Sequence, residues 1–166
     1  KLNDEYYDAY LSRGFCYDSM GKYQLALRDF NKAISLSQDS AEAWYAKADL
    51  EYSLGQIQES IASYTEAARI EPDNYEVWFN LAETFFESGK WLEALKAFDE
   101  CIRINPKDAT SFYGKAKANF VLSRTQEAIE CLKSAFLFDP SIRTEFEKEY
   151  PEIKSSKLFK RLLGEV

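Results

Sequence analysis

Covalent or acid–base chemistry in this chain would have to come from three thiols, Cys16, Cys101 and Cys131, and from 28 carboxylates, because it contains no histidine. Without imidazole there is no Ser-His-Asp triad, no Cys-His pair and no histidine-ligated zinc. The cysteines stand in no metal-like spacing, and an odd number of them makes no disulfide framework. They are read as reduced packing residues. No glycine-rich phosphate loop is present. No spacing of carboxylates singles out a pair for general acid–base work. The chain is therefore expected not to be an enzyme, with no catalytic residue, no metal ligand and no cofactor.

The 166 residues are 46% apolar, 16% aromatic and 30% charged, enough apolar material for a core and too much for a disordered tail. A net charge of −7 is repelled by phosphate backbones, so nucleic acid is not an expected partner. No run of about 20 apolar residues is long enough to insert in a membrane. No signal segment opens the chain, and with the unpaired cysteines this suggests a cytoplasmic protein. A secreted or periplasmic chain with its leader removed would look the same.

What positions the side chains is a period of 34 residues. Pro72, Pro106 and Pro140 keep it, as do Gly21, Gly55, Gly89 and Ser123. Aromatic rings recur at Tyr10, Trp44, Trp78 and Phe112. Small residues recur at Gly14, Ala48, Ala82 and Ala116, and again at Ala26, Ser60, Ala94 and Ala128. A sixth ladder is Phe30, Tyr64, Phe98 and Leu132. Between the punctuation marks apolar residues return at three and four, which is helical spacing. The pattern predicts first helices near 7–20, 41–54, 75–88 and 109–122. It predicts second helices near 23–36, 57–70, 91–104 and 125–138. The glycines end the first helix of each pair. A single pair cannot bury its own apolar stripe, whereas stacked pairs can.

On these ladders the chain resembles the tetratricopeptide-repeat family over almost its full length. The third repeat carries the signature best, with Trp78, Leu81-Ala82, Phe85, Ala94, Phe98 and Pro106. Gln38 replaces the first Pro, Glu51 and Asn119 replace a Tyr, and Leu132 replaces a Phe. The resemblance implies an all-α, right-handed superhelical solenoid of antiparallel helix pairs. Its repeats would span 7–40, 41–74, 75–108 and 109–142. Residues 1–6 would be the tail of a preceding repeat, in a chain excised from a longer array, with a degenerate natural start as the alternative. Residues 143–166 would be capping helices. Ile153, Leu158, Phe159, Leu162 and Leu163, with Lys154, Lys157, Lys160 and Arg161 between them, fit such a cap. They also fit a basic amphipathic docking helix.

In this family the first helices line a concave groove that holds a peptide or helix of a partner protein. Carried onto this sequence, the groove is Asp8, Leu11, Phe15 and Asp18, then Glu42, Tyr45, Asp49 and Tyr52. It continues with Glu76, Phe79, Glu83, Phe86 and Glu87, then Thr110, Tyr113, Lys117 and Phe120. Two aromatic ladders run along it, Tyr45/Phe79/Tyr113 and Tyr52/Phe86/Phe120. They either anchor a partner or pack on the next repeat. Residues 41–74 carry 2 basic and 7 acidic residues, and residues 75–108 carry 4 and 7. That acidity either recruits a partner segment with Lys or Arg among apolar residues or solvates a helix face. The Lys and Asn clamp of the family's chaperone-tail binders is missing. Only Asn80 fits it, and Glu76 opposes it, so no acidic chaperone C-terminal tail is expected to bind. The other reading is a structural one, self-association through the N-terminal surface around Tyr6, Tyr7 and Tyr10.

Overall fold

The structure, a computed structural model, describes residues 2–151 and 156–164. The chain divides into two compact units, Lys1–Thr84 and Phe85–Val166. The first holds α1 (Leu2–Ser19), α2 (Tyr23–Leu36), α3 (Ala41–Ser53) and α4 (Ile57–Ile70), and α5 (Tyr75–Glu87) begins in it. The second holds α6 (Trp91–Ile104), α7 (Ala109–Val121), α8 (Thr125–Phe138), α9 (Pro140–Glu149) and α10 (Lys157–Leu163). Among the described residues there is no strand. Within the units, consecutive helices pack as the pairs α1–α2, α3–α4 and α7–α8. The predicted helices are found within a residue or two of their expected ends, with one exception.

The exception is α1, which starts five residues early. The later first helices open on short acceptors. Ser40 takes the Ala43 N–H at 3.2 Å, Asn74 takes that of Val77 at 3.3 Å, and Asp108 takes that of Ser111 at 2.9 Å. The matching position in the first pair is Tyr6, whose hydroxyl is too remote to cap. The helix runs back through it, so residues 2–6 are continuous with α1. Lys1 lies outside the described residues.

Each first helix ends alike. The N–H of Gly55 bonds the Tyr52 carbonyl and that of Gln56 bonds Glu51, at 2.9 and 2.8 Å, which is the Schellman arrangement. Gly21, Gly55 and Gly89 hold φ between 69° and 77°, and Ser123 holds 58° in the same place. Ser123 alone carries a side chain in a left-handed conformation among the described residues, at a cost of about 1 kcal/mol. Ser123→Gly is expected to raise stability by about 0.5–1 kcal/mol, seen as a higher melting temperature. Gly55→Ala is expected to lower it.

Inside the first unit, Leu11, Phe30, Ala33, Ile34, Ala43, Ala46 and Leu50 form one core joining α1, α2 and α3. The small ladder has a steric reason: a Cβ on Gly14 would stand 2.5 Å from the Phe30 ring. The indoles of Trp44 and Trp78 donate to the carbonyls of Gln38 and Pro72, at 3.1 and 2.9 Å. What the turn supplies is a carbonyl, so Gln38 serves as well as proline. Glu51 is buried and accepts from Ser63 at 2.6 Å, with Lys47 at 3.7 Å. Buried Asp29 takes both Nε and Nη2 of Arg13, at 2.6 and 2.8 Å.

In the second unit, Ala116, Cys131, Leu132 and Phe146 share a core. Pro140 opens α9, and the Asp139 side chain accepts the Ser141 N–H at 2.8 Å; the Ser141 side chain first, and then this backbone bond, lower the Asp139 pKa. Phe146 is buried against Tyr113, Phe136 and Tyr150, and Phe159 of α10 stacks on it with centroids 5.5 Å apart. The described part of the terminal segment therefore rests on the helices before it. Ile153, Lys154 and the side chains of Leu158 and Leu162 lie outside the described residues. Cys101 and Cys131 are buried, as expected, with thiol pKa values raised by burial. Cys16 is exposed, which corrects its reading as a packing residue.

Candidate functional site

The first-helix face of the first unit brings Phe15, Glu42, Tyr45, Asp49, Tyr52, Glu76, Phe79, Asn80 and Glu83 to α1, α3 and α5. Phe15, Glu42, Asp49 and Glu76 are exposed, and the other five are half-buried. Leu11 is the correction: at 5% exposure it belongs to the core with Phe30 and contributes nothing to the surface. Its position is that of Tyr45, Phe79 and Tyr113. An aliphatic chain with no polar tip gains by sinking inward, whereas a tyrosine keeps its hydroxyl at the surface.

Tyr45 is held from several sides. Its hydroxyl donates to Glu76 at 3.1 Å and accepts from the Asn80 amide at 2.8 Å. Its ring stands edge-on to Tyr64, centroids 5.7 Å apart. Tyr64 donates to Asp49 at 3.3 Å. So Tyr45, one member of the first aromatic ladder, packs on the following first helix through hydrogen bonds the sequence did not reveal. Burial, then the Glu76 carboxylate, push the Tyr45 phenol up to about 12. A folded pKa above the unfolded value near 10 favours the folded state below pH 10 and ceases to do so as pH rises through 12. Alkaline unfolding is therefore expected to steepen between pH 10 and 12, and Tyr45→Phe to flatten that slope, as read by circular dichroism across this range.

Glu42, Asp49 and Glu76 enter no ion pair among the described residues. Glu42 and Glu76 line a hollow of about 150 Å³ with Tyr45, Glu71 and Asn74. Glu71 and Asn74 were not singled out by sequence, since they sit in a turn. The arrangement offers rings beside Glu42, Asp49 and Glu76, which no cation among the described residues neutralises. Among the described residues no cluster of His, Cys, Asp or Glu could hold a metal ion.

The second unit gathers Phe86, Tyr113, Lys117 and Phe120 around an apolar pocket of about 270 Å³. The Lys117 ammonium lies 5.3 Å from the centroids of both Phe86 and Tyr113. Tyr113 donates to Glu149 at 2.8 Å, and burial with Glu149 raises its pKa. Val121, Leu132, Phe146, Glu149 and Tyr150 complete the lining. Phe146 stands 34 residues after Phe112, so extending that ladder one step would have found it. Glu87 is exposed on α5 and is not among the lining residues. A larger hollow, about 690 Å³, lies between α6 and α8 over α7. Its charges are of both signs, and Lys115 pairs with Asp99, so it offers no field of one sign.

Tetratricopeptide-repeat sequence profiles match residues 7–40, 45–109 and 79–136. No curated protein matches the sequence. Among solved structures, a crystal structure of MamA is similar, with a TM-score of 0.75 at 20% identity, covering 83% of this chain and 81% of that one. A second MamA structure gives 0.74 at 20% identity, covering 87% and 76%. A third, MamA AMB-1, gives 0.75 at 18%, covering 81% and 73%. At such identities the likeness concerns the fold.

Proposed function

Since the chain belongs to the tetratricopeptide-repeat family, a fold that serves as a protein-interaction or scaffold module, we propose that its first-helix face binds a segment of a partner protein carrying Lys or Arg among apolar residues. The observation that carries this reading is the set Glu42, Asp49 and Glu76, exposed and without cation partners among the described residues, beside the hydrogen-bonded Tyr45. Rings that are already fixed lose little freedom on binding. Carboxylates of one sign steer a basic segment toward them. In the second unit the Phe86–Tyr113–Phe120 pocket would take an apolar side chain of the same kind of segment. An acidic tail would meet Glu42 and Glu76 and be repelled.

The test is affinity capture with the parent chain and with a Glu42→Lys, Asp49→Lys, Glu76→Lys variant of matched helicity. A basic-apolar protein kept by the parent and lost by the variant supports the reading. Retention of the same partners by both refutes it.

A further inference from the structure

At one position of the 34-residue period the charge changes sign. Asp49 on α3 and Glu83 on α5 are acidic there, and Lys117 on α7 is basic. In the second unit Lys117 lines the apolar pocket of about 270 Å³ with Phe86, Tyr113 and Phe120. It is half-buried, with its ammonium 5.3 Å from the centroids of Phe86 and Tyr113. Ring faces attract a cation, but they are weak acceptors for its three N–H donors. Among the described residues Lys117 enters no ion pair and no hydrogen bond. Glu149, the other charge at the pocket, differs on both counts. It is exposed, and it already accepts from the Tyr113 hydroxyl at 2.8 Å. The rim is altered as well. Val121 is 46% exposed, and it stands where the other pairs carry Ser19, Ser53 and Glu87. It carries the apolar lining outward beside Phe120, itself 36% exposed.

From this pocket we infer that it takes a phenylalanine or leucine of a partner protein whose neighbour in sequence is an aspartate or glutamate. The inference rests on the reading that the first-helix face binds a protein segment, and it gives that segment an acidic residue at this one place. The volume falls just under the roughly 300–1,000 Å³ of small-molecule sites and suits a single large side chain. Burial of that side chain among the rings supplies the anchor. Its acidic neighbour answers the unpaired ammonium of Lys117, a half-buried charge that water screens less than an exposed one. Glu149 opposes the same carboxylate more weakly, because it is exposed to water and bonded to Tyr113. A basic neighbour would meet Lys117 and be rejected, so the site selects by repulsion as well as by attraction. The acidic face on α3 and α5 thus has a counterpart of opposite preference on α7.

The test uses three synthetic peptides, acetylated and amidated so that no terminal charge remains: Gly-Glu-Phe-Glu-Gly, Gly-Gln-Phe-Gln-Gly and Gly-Lys-Phe-Lys-Gly. Each is titrated to about 10 mM into the full chain, and binding is read from the NMR shifts of Phe86, Tyr113 and Phe120. The glutamate peptide is expected to bind about three- to tenfold more tightly than the glutamine peptide, and the lysine peptide most weakly. Lys117→Met, which keeps an apolar stem, is expected to abolish the preference for glutamate over glutamine, and Lys117→Arg to retain it. Val121→Ser, at the exposed rim, is expected to weaken the glutamate and glutamine peptides alike and leave their ratio unchanged. Equal binding of those two peptides overturns the inference. So does a preference that survives Lys117→Met, or tightest binding of the lysine peptide, which would assign the pocket to Glu149. None of these three results touches the acidic face, whose own test is the Glu42→Lys, Asp49→Lys, Glu76→Lys variant; that variant is expected to keep the peptide preference. If no peptide shifts the three rings, the pocket's apolar role falls and the inference with it.

Discussion

Phe146→Ala is expected to cost about 3–5 kcal/mol, among the largest losses any single truncation in this chain can cause. The ring is 3% exposed and touches Tyr113, Phe136, Tyr150 and Phe159. It thereby joins α9 and α10 to α7 and α8. Truncation leaves a cavity that four other rings cannot fill without leaving their rotamers. The loss is expected to be local first: amides of α9 and α10 lose protection from hydrogen exchange before those of α2 and α3. Denaturant unfolding would give the total, and a cost below about 1 kcal/mol would show that the terminal helices are not held through this ring. Phe159→Ala, at a half-buried ring, is expected to cost less. The comparison separates a cap from a helix waiting for a partner, because a docking helix would tolerate both changes.

The second large effect concerns charge. Changing Glu42, Asp49 and Glu76 together to lysine is expected to weaken binding of a basic-apolar segment about a hundredfold. Each exposed pair is worth about 0.5 kcal/mol, and reversal replaces attraction by repulsion, which doubles the change. Three sites give about 3 kcal/mol, or roughly two decades in dissociation constant. Folding should survive, because Glu42, Asp49 and Glu76 are exposed. The hydrogen bonds lost from Tyr45 and Tyr64 are the cost to the fold. Glu76→Gln, which keeps an acceptor for Tyr45, separates that loss from the loss of charge. Isothermal titration on the three-site variant and on Glu76→Gln measures both.

Most of the fold is legible in the sequence because its punctuation is steric. A residue with φ near +70° has to be glycine or bear strain, and Gly21, Gly55, Gly89 and Ser123 mark four helix ends. Gly14 marks where a phenylalanine of the partner helix comes too close for a Cβ. What escaped the sequence had a different physical origin. Leu11 shares the register of Tyr45 but not its hydroxyl, so the same position faces inward in one pair and outward in another. Cys16 shares the register of Leu50, Thr84 and Ala118, all buried. Its exposure depends on what lies against α1, and no local pattern encodes that. The bonds of Tyr45 to Glu76 and Asn80 span more than 30 residues. They depend on the rotation between successive pairs, which a period of 34 implies but does not specify. Glu42, Asp49 and Glu76 were legible as charge, and that they enter no ion pair among the described residues required the structure.

The face proposed to bind protein, on α3 and α5, would do so through charge and aromatic rings. Its most direct test is the affinity of this chain for a captured partner segment, measured from 50 to 500 mM salt. Affinity is expected to fall steadily with salt in the parent, and the fall to disappear in the Glu42→Lys, Asp49→Lys, Glu76→Lys variant. Affinity that is flat in salt for the parent, or that falls equally in both proteins, would contradict it.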